Sequence, residues 1–193
     1  GGGAGVIGLL VIACLSAAGS RVVAVEPDEP RRRLALLLGA SDAVQPSDTP
    51  RKAADVSIEC SGAPAALQGA IDSTADCGRV VVASWYGAKQ VNLRLGTAFH
   101  RSHIEMIASQ VSEVTGPHAR RWSKARRFEA AWELIRRVRP ATRVPVLTSP
   151  LERAADAYAL LDTAKSAPVV HLVYGEQRAD NGAVEGVGPR ARI

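Results

Sequence analysis

The residues with the clearest chemical meaning open the chain. Gly3-Ala4-Gly5-Val6-Ile7-Gly8 has the spacing G-x-G-x-x-G. In such a pattern the first glycine permits a tight turn. The second lets a pyrophosphate approach the backbone, and the third lets the following helix pack closely against a sheet. A helix starting at Val6 and Ile7 offers unpaired N–H groups and the positive end of its dipole to phosphates. Taken alone the pattern is weak, because glycine-rich stretches are common. Its context is stronger. An apolar helix over residues 6–18 follows at once, then a β-branched strand over 21–25 that runs into Glu26. An acid about 20 residues beyond the turn suits the ribose hydroxyls of a dinucleotide. The same carboxylate repels a 2′-phosphate, which favours NAD, while Arg31, Arg32 and Arg33 just beyond it keep NADP open. The alternative role for Glu26 is to cap a helix beginning near Pro30.

The elements that must hold these residues follow from pattern. Strand-like runs at 21–25, 43–44, 55–59, 79–83, 104–109 and 169–174 alternate with helix-like runs at 6–18, 30–38, 65–72, 124–139 and 151–161, and 144–147 reads as extended. Such alternation predicts an α/β fold with a Rossmann-type, doubly wound parallel sheet. The glycine turn of that fold follows a strand, and only Gly1 and Gly2 precede Gly3. The expectation is therefore a sheet whose first strand is absent, in a sequence that opens inside a longer protein. The expected organisation is a dinucleotide-binding domain over 1–143, a closing helix and strand over 144–175, and a disordered, glycine-rich tail over 176–193.

Composition narrows the classes. Of 193 residues, 47% are hydrophobic and only 4% aromatic, so a buried core must be aliphatic. No apolar run reaches the roughly 18 residues that span a bilayer, and no membrane partner is expected. Cys14, Cys60 and Cys77 are too few and too scattered for a disulfide framework, so a reducing cytoplasm is the default. Each cysteine reads as packing or as a structural position. His100 and His103 lack a Cys or acidic partner at matching spacing, and His118 and His171 have no metal-like context. No metal site is expected. The net charge of +5 is concentrated between residues 118 and 143. There Phe128, Ala131, Trp132, Ile135 and Val138 recur at helical spacing, so the arginines become the wet face of an amphipathic helix. No nucleic-acid partner is expected.

Several segments resemble the cofactor-binding half of a medium-chain dehydrogenase/reductase of the zinc alcohol dehydrogenase type. Residues 3–10 (GAGVIGLL) resemble its nucleotide turn, and 21–32 (RVVAVEPDEPRR) its second strand and acidic end. Residues 55–62 (DVSIECSG) and 78–87 (GRVVVASWYG) resemble its fourth and fifth strands. Residues 99–111 (FHRSHIEMIASQV) and 150–162 (PLERAADAYALLD) resemble a later strand and the closing helix. The run FH…SQV…RW…ARRF is similar to threonine-type and bacteriochlorophyllide-type members. The resemblance implies a cofactor site of Gly3, Gly5, Val6, Ile7, Gly8, Glu26, Ser61, Gly62, Ser84, Trp85 and Ser109, although that family more often has glycine at the Ser84 position. It implies hydride exchange between NAD(H) and an alcohol or carbonyl compound. It places the catalytic zinc in an N-terminal domain that these residues do not supply, so no catalytic residue is expected in this chain. It further implies a shortened helix between residues 44 and 55, and a homodimer contact at the sheet edge near Ile104 and Ser109.

Three other readings compete. A methyltransferase using S-adenosylmethionine shares the turn and the acid, but its helix is less aliphatic than Val6, Ile7, Leu9 and Leu10. A short-chain dehydrogenase needs Tyr-x-x-x-Lys, and Tyr86 and Lys89 have the wrong spacing. A non-catalytic nucleotide- or nucleic-acid-binding module would use the basic helix.

Overall fold

A computed structural model describes residues 3–114, 119–163 and 169–174. The chain divides into two compact units, Gly1–Val138 and Arg139–Ile193. The expected tail over 176–193 and His118 lie outside the described residues.

In the first unit, helix α1 (Val6–Ala17) leaves the glycine turn, and Gly19 turns the chain with φ +86°. Strand β1 (Val23–Val25) leads to helix α2 (Glu29–Leu37), then strand β2 (Asp42–Val44) pairs in parallel with β1. The cap of α2 is Asp28, whose carboxylate accepts the Arg31 N–H at 3.3 Å. Pro30 sits in the first turn, where its missing N–H costs nothing. The cap therefore does not fall to Glu26. A single 3-10 turn, Pro46–Asp48, stands in the short linker to strand β3 (Ala54–Glu59).

Helix α3 (Pro64–Ser73) then connects β3 to strand β4 (Thr74–Val82), and strand β5 (Glu105–Ala108) adds on β4's other side. All three strands are parallel in the order β3-β4-β5. β4 begins earlier than its valine run suggests. Thr74 pairs with Ala54, and an irregularity then brings Arg79 opposite Val56. Cys77 takes φ +59° within that irregular stretch. On the α3 face, Leu67, Ile71, Val80 and Ile104 form the aliphatic core.

The parallel architecture agrees with expectation, but the first unit's strands form two separate sheets. No strand joins β1 to β3 among the described residues.

Helix α4 (Lys124–Val138) forms where expected. Its apolar stripe is not covered, however. Phe128 and Trp132 are 58% and 56% exposed, and only Val138 is buried. Arg126 lies over the Trp122 ring, 4.6 Å from its centroid. In the second unit, strand β6 (Val146–Pro150), helix α5 (Ala154–Thr163) and strand β7 (Val169–Val173) make a parallel pair with a crossover helix. No helix among the described residues is long and apolar enough to cross a membrane.

Ile71 is fully buried in the aliphatic core. Ile71→Ala is expected to cost about 2–5 kcal/mol of unfolding free energy. Asp28→Ala, which removes one cap, is expected to cost about 1 kcal/mol. Urea unfolding of both variants checks the ranking, and equal losses would contradict it.

Candidate functional site

The glycine turn is tied to the end of β1. Gly3 donates its N–H to the Val25 carbonyl at 3.3 Å. Ala4 donates to Glu26 Oε2 at 3.0 Å, and Asp28 donates to Glu26 Oε1 at 3.0 Å. Glu26 is only 1% exposed, so its carboxyl lies beneath the turn and braces it. A buried carboxyl needs such donors, because leaving it unpaired costs several kcal/mol, on the order of a lost charge-assisted hydrogen bond or more.

Two glycines have specific physical reasons. A Cβ on Gly8 would fall 1.1 Å from the Gly3 carbonyl oxygen. The turn itself therefore requires the third glycine. A Cβ on Gly5 meets nothing within 4 Å, so the space over the second glycine is open. The α1 ladder begins with Leu9 N–H donating to the Gly5 carbonyl at 2.9 Å. The N–H groups of Val6, Ile7 and Gly8 lie ahead of it. No side chain caps this end, and its first turn carries no acid. That is the geometry and polarity of a phosphate cradle.

The nearby arginines are mostly committed elsewhere. Arg32 Nη1 donates to the carbonyls of Glu26 and Pro27 at 2.7 and 2.8 Å, and Arg33 pairs with Glu29. Arg31 keeps a buried Nε without a partner among the described residues.

A second cluster forms where β3 and β4 end. Glu59, 2% exposed, closes β3. Its carboxylate accepts the Ser61 N–H at 2.6 Å, the Gly62 N–H at 3.1 Å and the Ser61 hydroxyl. It also accepts the Ser84 hydroxyl and the Tyr86 phenol, the latter at 2.8 Å. One buried acid therefore joins the loop after β3 to the loop after β4. Burial pushes the Glu59 carboxyl up, but the donors Ser61, Ser84 and Tyr86 outweigh it and hold it below the usual carboxylate range. The same contact, with burial first, pushes the Tyr86 phenol up to about 12. Lys89 Nζ donates to the Gly62 carbonyl at 3.1 Å. Gly62 has φ +67°, and a Cβ there would lie 3.1 Å from the Trp85 carbonyl oxygen. Only glycine lets these two loops come so close.

The structure thus gathers the expected residues into two groups. Gly3, Gly5, Val6, Ile7 and Gly8 stand with Glu26, and Ser61, Gly62, Ser84 and Trp85 stand around Glu59. Ser109 follows β5 and donates its N–H to the Val82 carbonyl at 2.8 Å. Each group lies at the C-terminal ends of parallel strands, where open α/β sheets bind ligands. The Trp85 side chain is 88% exposed.

Sequence reasoning missed Glu59, Tyr86 and Lys89. The available signal was an acid at the last position of an otherwise apolar strand, directly before Ser-Gly. Among the described residues, no three His, Cys, Asp or Glu side chains come together as a metal site. Burial, and then the Glu59 charge, push the Cys60 thiol up to about 11, which makes it a poor nucleophile and metal ligand.

The Glu59 arrangement has a pH signature. Its folded value lies below the ordinary 4.5. Its stabilisation is therefore present above that value and lost as pH falls through the folded one. Tyr86→Phe removes one donor and brings the folded value closer to the unfolded one. Thermal unfolding followed from about pH 5 to about pH 3 should show a shallower loss of stability in the variant, on a lower baseline at neutral pH. An unchanged slope would contradict the role given to Tyr86.

Comparison with known proteins agrees with this geometry. Residues 6–134 match the family model described as "Zinc-binding dehydrogenase". The D-guloside 3-dehydrogenase of Escherichia coli (strain K12) is 30% identical over 144 residues, which are 69% of this chain and 41% of that protein. The L-threonine 3-dehydrogenase of Pyrococcus horikoshii is 28% identical over 188 residues, 89% of this chain and 50% of that protein. The chain therefore spans half or less of the length of these relatives. Among solved structures, a short chain alcohol dehydrogenase from E. coli CFT073 complexed with NADH shares the fold. Its TM-score is 0.71 at 18% identity, covering 89% of this chain and 50% of that one. With an uncapped glycine turn, an acid beneath it and two braced strand-end loops in one unit, this chain belongs to the zinc-binding dehydrogenase family.

Proposed function

We propose that this chain is the NAD-holding part of an alcohol dehydrogenase that exchanges hydride between a small alcohol or its carbonyl product and the nicotinamide. The observation that carries this reading is the open space over Gly5 in front of an uncapped α1. The backbone N–H groups of Val6, Ile7 and Gly8 would hold the pyrophosphate. Ser61, Gly62, Ser84, Trp85 and Ser109 would line the path of the nicotinamide half, with Ser61, Gly62 and Ser84 held by Glu59. The bound cofactor supplies the hydride acceptor or donor, and these residues orient it. The NADH complex among the structural neighbours supports the same cofactor class.

Glu26 has two jobs in this reading. It braces the turn through Ala4, and it offers Oε1 to the adenosine ribose, whose hydroxyls compete with the Asp28 N–H. With Arg32 and Arg33 committed to other partners, Arg31 alone is left to meet a 2′-phosphate, so NAD is favoured over NADP. The described residues do not fit a zinc site. In this reading the zinc ligands and the substrate pocket belong to polypeptide outside these residues. The chain by itself binds cofactor without catalysing alcohol oxidation. A homodimer contact at the outer edge of β5, over residues 104–109, completes the proposal.

Calorimetric titration tests it. NADH should bind about tenfold or more tightly than NADPH, a difference of about 1.4 kcal/mol, and S-adenosylmethionine should give no heat. Gly5→Val, which fills the open space, should abolish NADH binding. Glu26→Ala should narrow the NADH preference. Equal losses for NADH and NADPH would leave Glu26 only its bracing role. Preferential binding of NADPH or of S-adenosylmethionine would overturn the cofactor assignment.

A further inference from the structure

We infer that the uncovered side of helix α4 is a docking face for an anionic lipid surface, with Phe128, Trp132 and Ile135 set into the interface and Lys124 and Arg136 at the headgroups.

The helix has two apolar sides, and only one of them is used. Leu134 and Val138 stand one turn apart, half-buried and buried, on the side that meets the rest of the unit. Phe128, Trp132 and Ile135 form a second stripe at the i, i+4, i+7 spacing, and Ile135 is 41% exposed beside the two more open rings. Single exposed apolar residues are ordinary, but a contiguous set on one face marks an interaction site. At about 100° per residue, Lys124 bounds the stripe on one edge and Arg136 on the other. Glu129 and Glu133 lie further round, past Arg136.

Charge says what covers the stripe. Residues 119–138 hold seven lysines and arginines against two glutamates. Among the described residues, none of the seven enters an ion pair. An amphipathic helix with Trp and Phe on one side and unpaired cations beside them lies in the plane of a membrane interface. Its apolar side enters the acyl boundary, and its cations meet acidic headgroups. Trp, Lys and Arg suit that boundary because each has an apolar body and a polar tip. The absence of a spanning run does not bear on this, since a helix lying on a surface needs only one apolar side.

Other occupants fit less well. A second copy would set Lys124 and Arg136 against their own counterparts around a dry stripe, where like charges repel strongly. A nucleic acid needs ring faces on which to stack its bases. Arg126 and Arg127 already lie over the Trp122 and Phe128 rings, at 4.6 and 5.8 Å from their centroids, and Ile135 offers a base nothing to stack on. None of these residues belongs to the cofactor site proposed above, so the lipid face stands or falls separately from it.

Co-sedimentation with vesicles tests the inference on the whole 193-residue chain. Vesicles with about a third phosphatidylglycerol should bind it at least about tenfold more tightly than vesicles of phosphatidylcholine alone, and added salt should weaken the binding. Reversing Lys124 and Arg136 to Glu, or changing Trp132 and Ile135 to Ser, should each remove most of it. Reversing Arg21 and Arg101 to Glu makes the same change of net charge on other exposed positions and should leave most of the binding. With Trp85 and Trp122 changed to Phe, Trp132 emission should lie at a solvent-exposed wavelength in buffer and shift to the blue on anionic vesicles only. Equal binding to both vesicles, equal loss in the Arg21 and Arg101 control, or no emission shift would overturn the inference. Blue emission already in buffer would overturn it too, and at dimer mass would give the stripe to a second copy. Binding to single-stranded DNA without binding to vesicles would give the face to nucleic acid instead.

Discussion

A carboxyl group taken out of water must find donors, and this chain buries one at the end of each of two parallel strands. Glu26, beyond β1, is 1% exposed, and Glu59, closing β3, is 2% exposed. Among the described residues, neither forms an ion pair with a lysine or arginine. Both are satisfied by N–H and O–H groups of the loops that follow. Glu26 takes the N–H groups of Ala4 and Asp28. Glu59 takes those of Ser61 and Gly62 with the hydroxyls of Ser61, Ser84 and Tyr86. Each acid converts a loop that would otherwise sample many conformations into a fixed surface. Preorganisation of this kind lets a ligand bind without ordering the loops at the moment of association.

The two braced surfaces differ in what they offer. The Glu26 turn leaves N–H groups and open space, which suits an anion. The Glu59 loops share one carboxylate and are closely apposed, with Gly62 against the Trp85 carbonyl, which suits a flat group held in one orientation. A dinucleotide has these two requirements at its two ends.

The local elements were largely legible in the sequence. An apolar run ended by glycine marked α1, apolar periodicity marked α4 and α5, the valine runs marked β1 and β4, and the glycine spacing marked the turn. What periodicity cannot show is which distant groups meet. Ser61, Gly62, Ser84 and Trp85 were named through a family resemblance, but the acid that holds them was not. Glu59 meets Tyr86 only because β3 and β4 run in parallel with α3 between them. Tyr86 and Lys89 were set aside for having the wrong spacing for one mechanism, yet they brace the cluster from across the loop. The glycine at position 8 was expected for close packing, and the nearness of the Gly3 carbonyl gives it a further reason that spacing does not show. Helix α4 was read correctly as amphipathic, yet its stripe of Phe128, Trp132 and Ile135 is left exposed. Amphipathicity says which side prefers cover, not whether cover is present.

In the proposed reading, the carboxyl ends of these parallel strands form a single nucleotide site. The most direct measurement is the ¹⁵N–¹H spectrum of the labelled chain as NADH is added. A single site should give shifts at the amides of Gly5, Val6, Ile7, Ser61, Gly62 and Ser84 that saturate together with one dissociation constant. Shifts confined to the basic helix around Arg126 and Arg127, or separate saturation of the two loop groups, would contradict it.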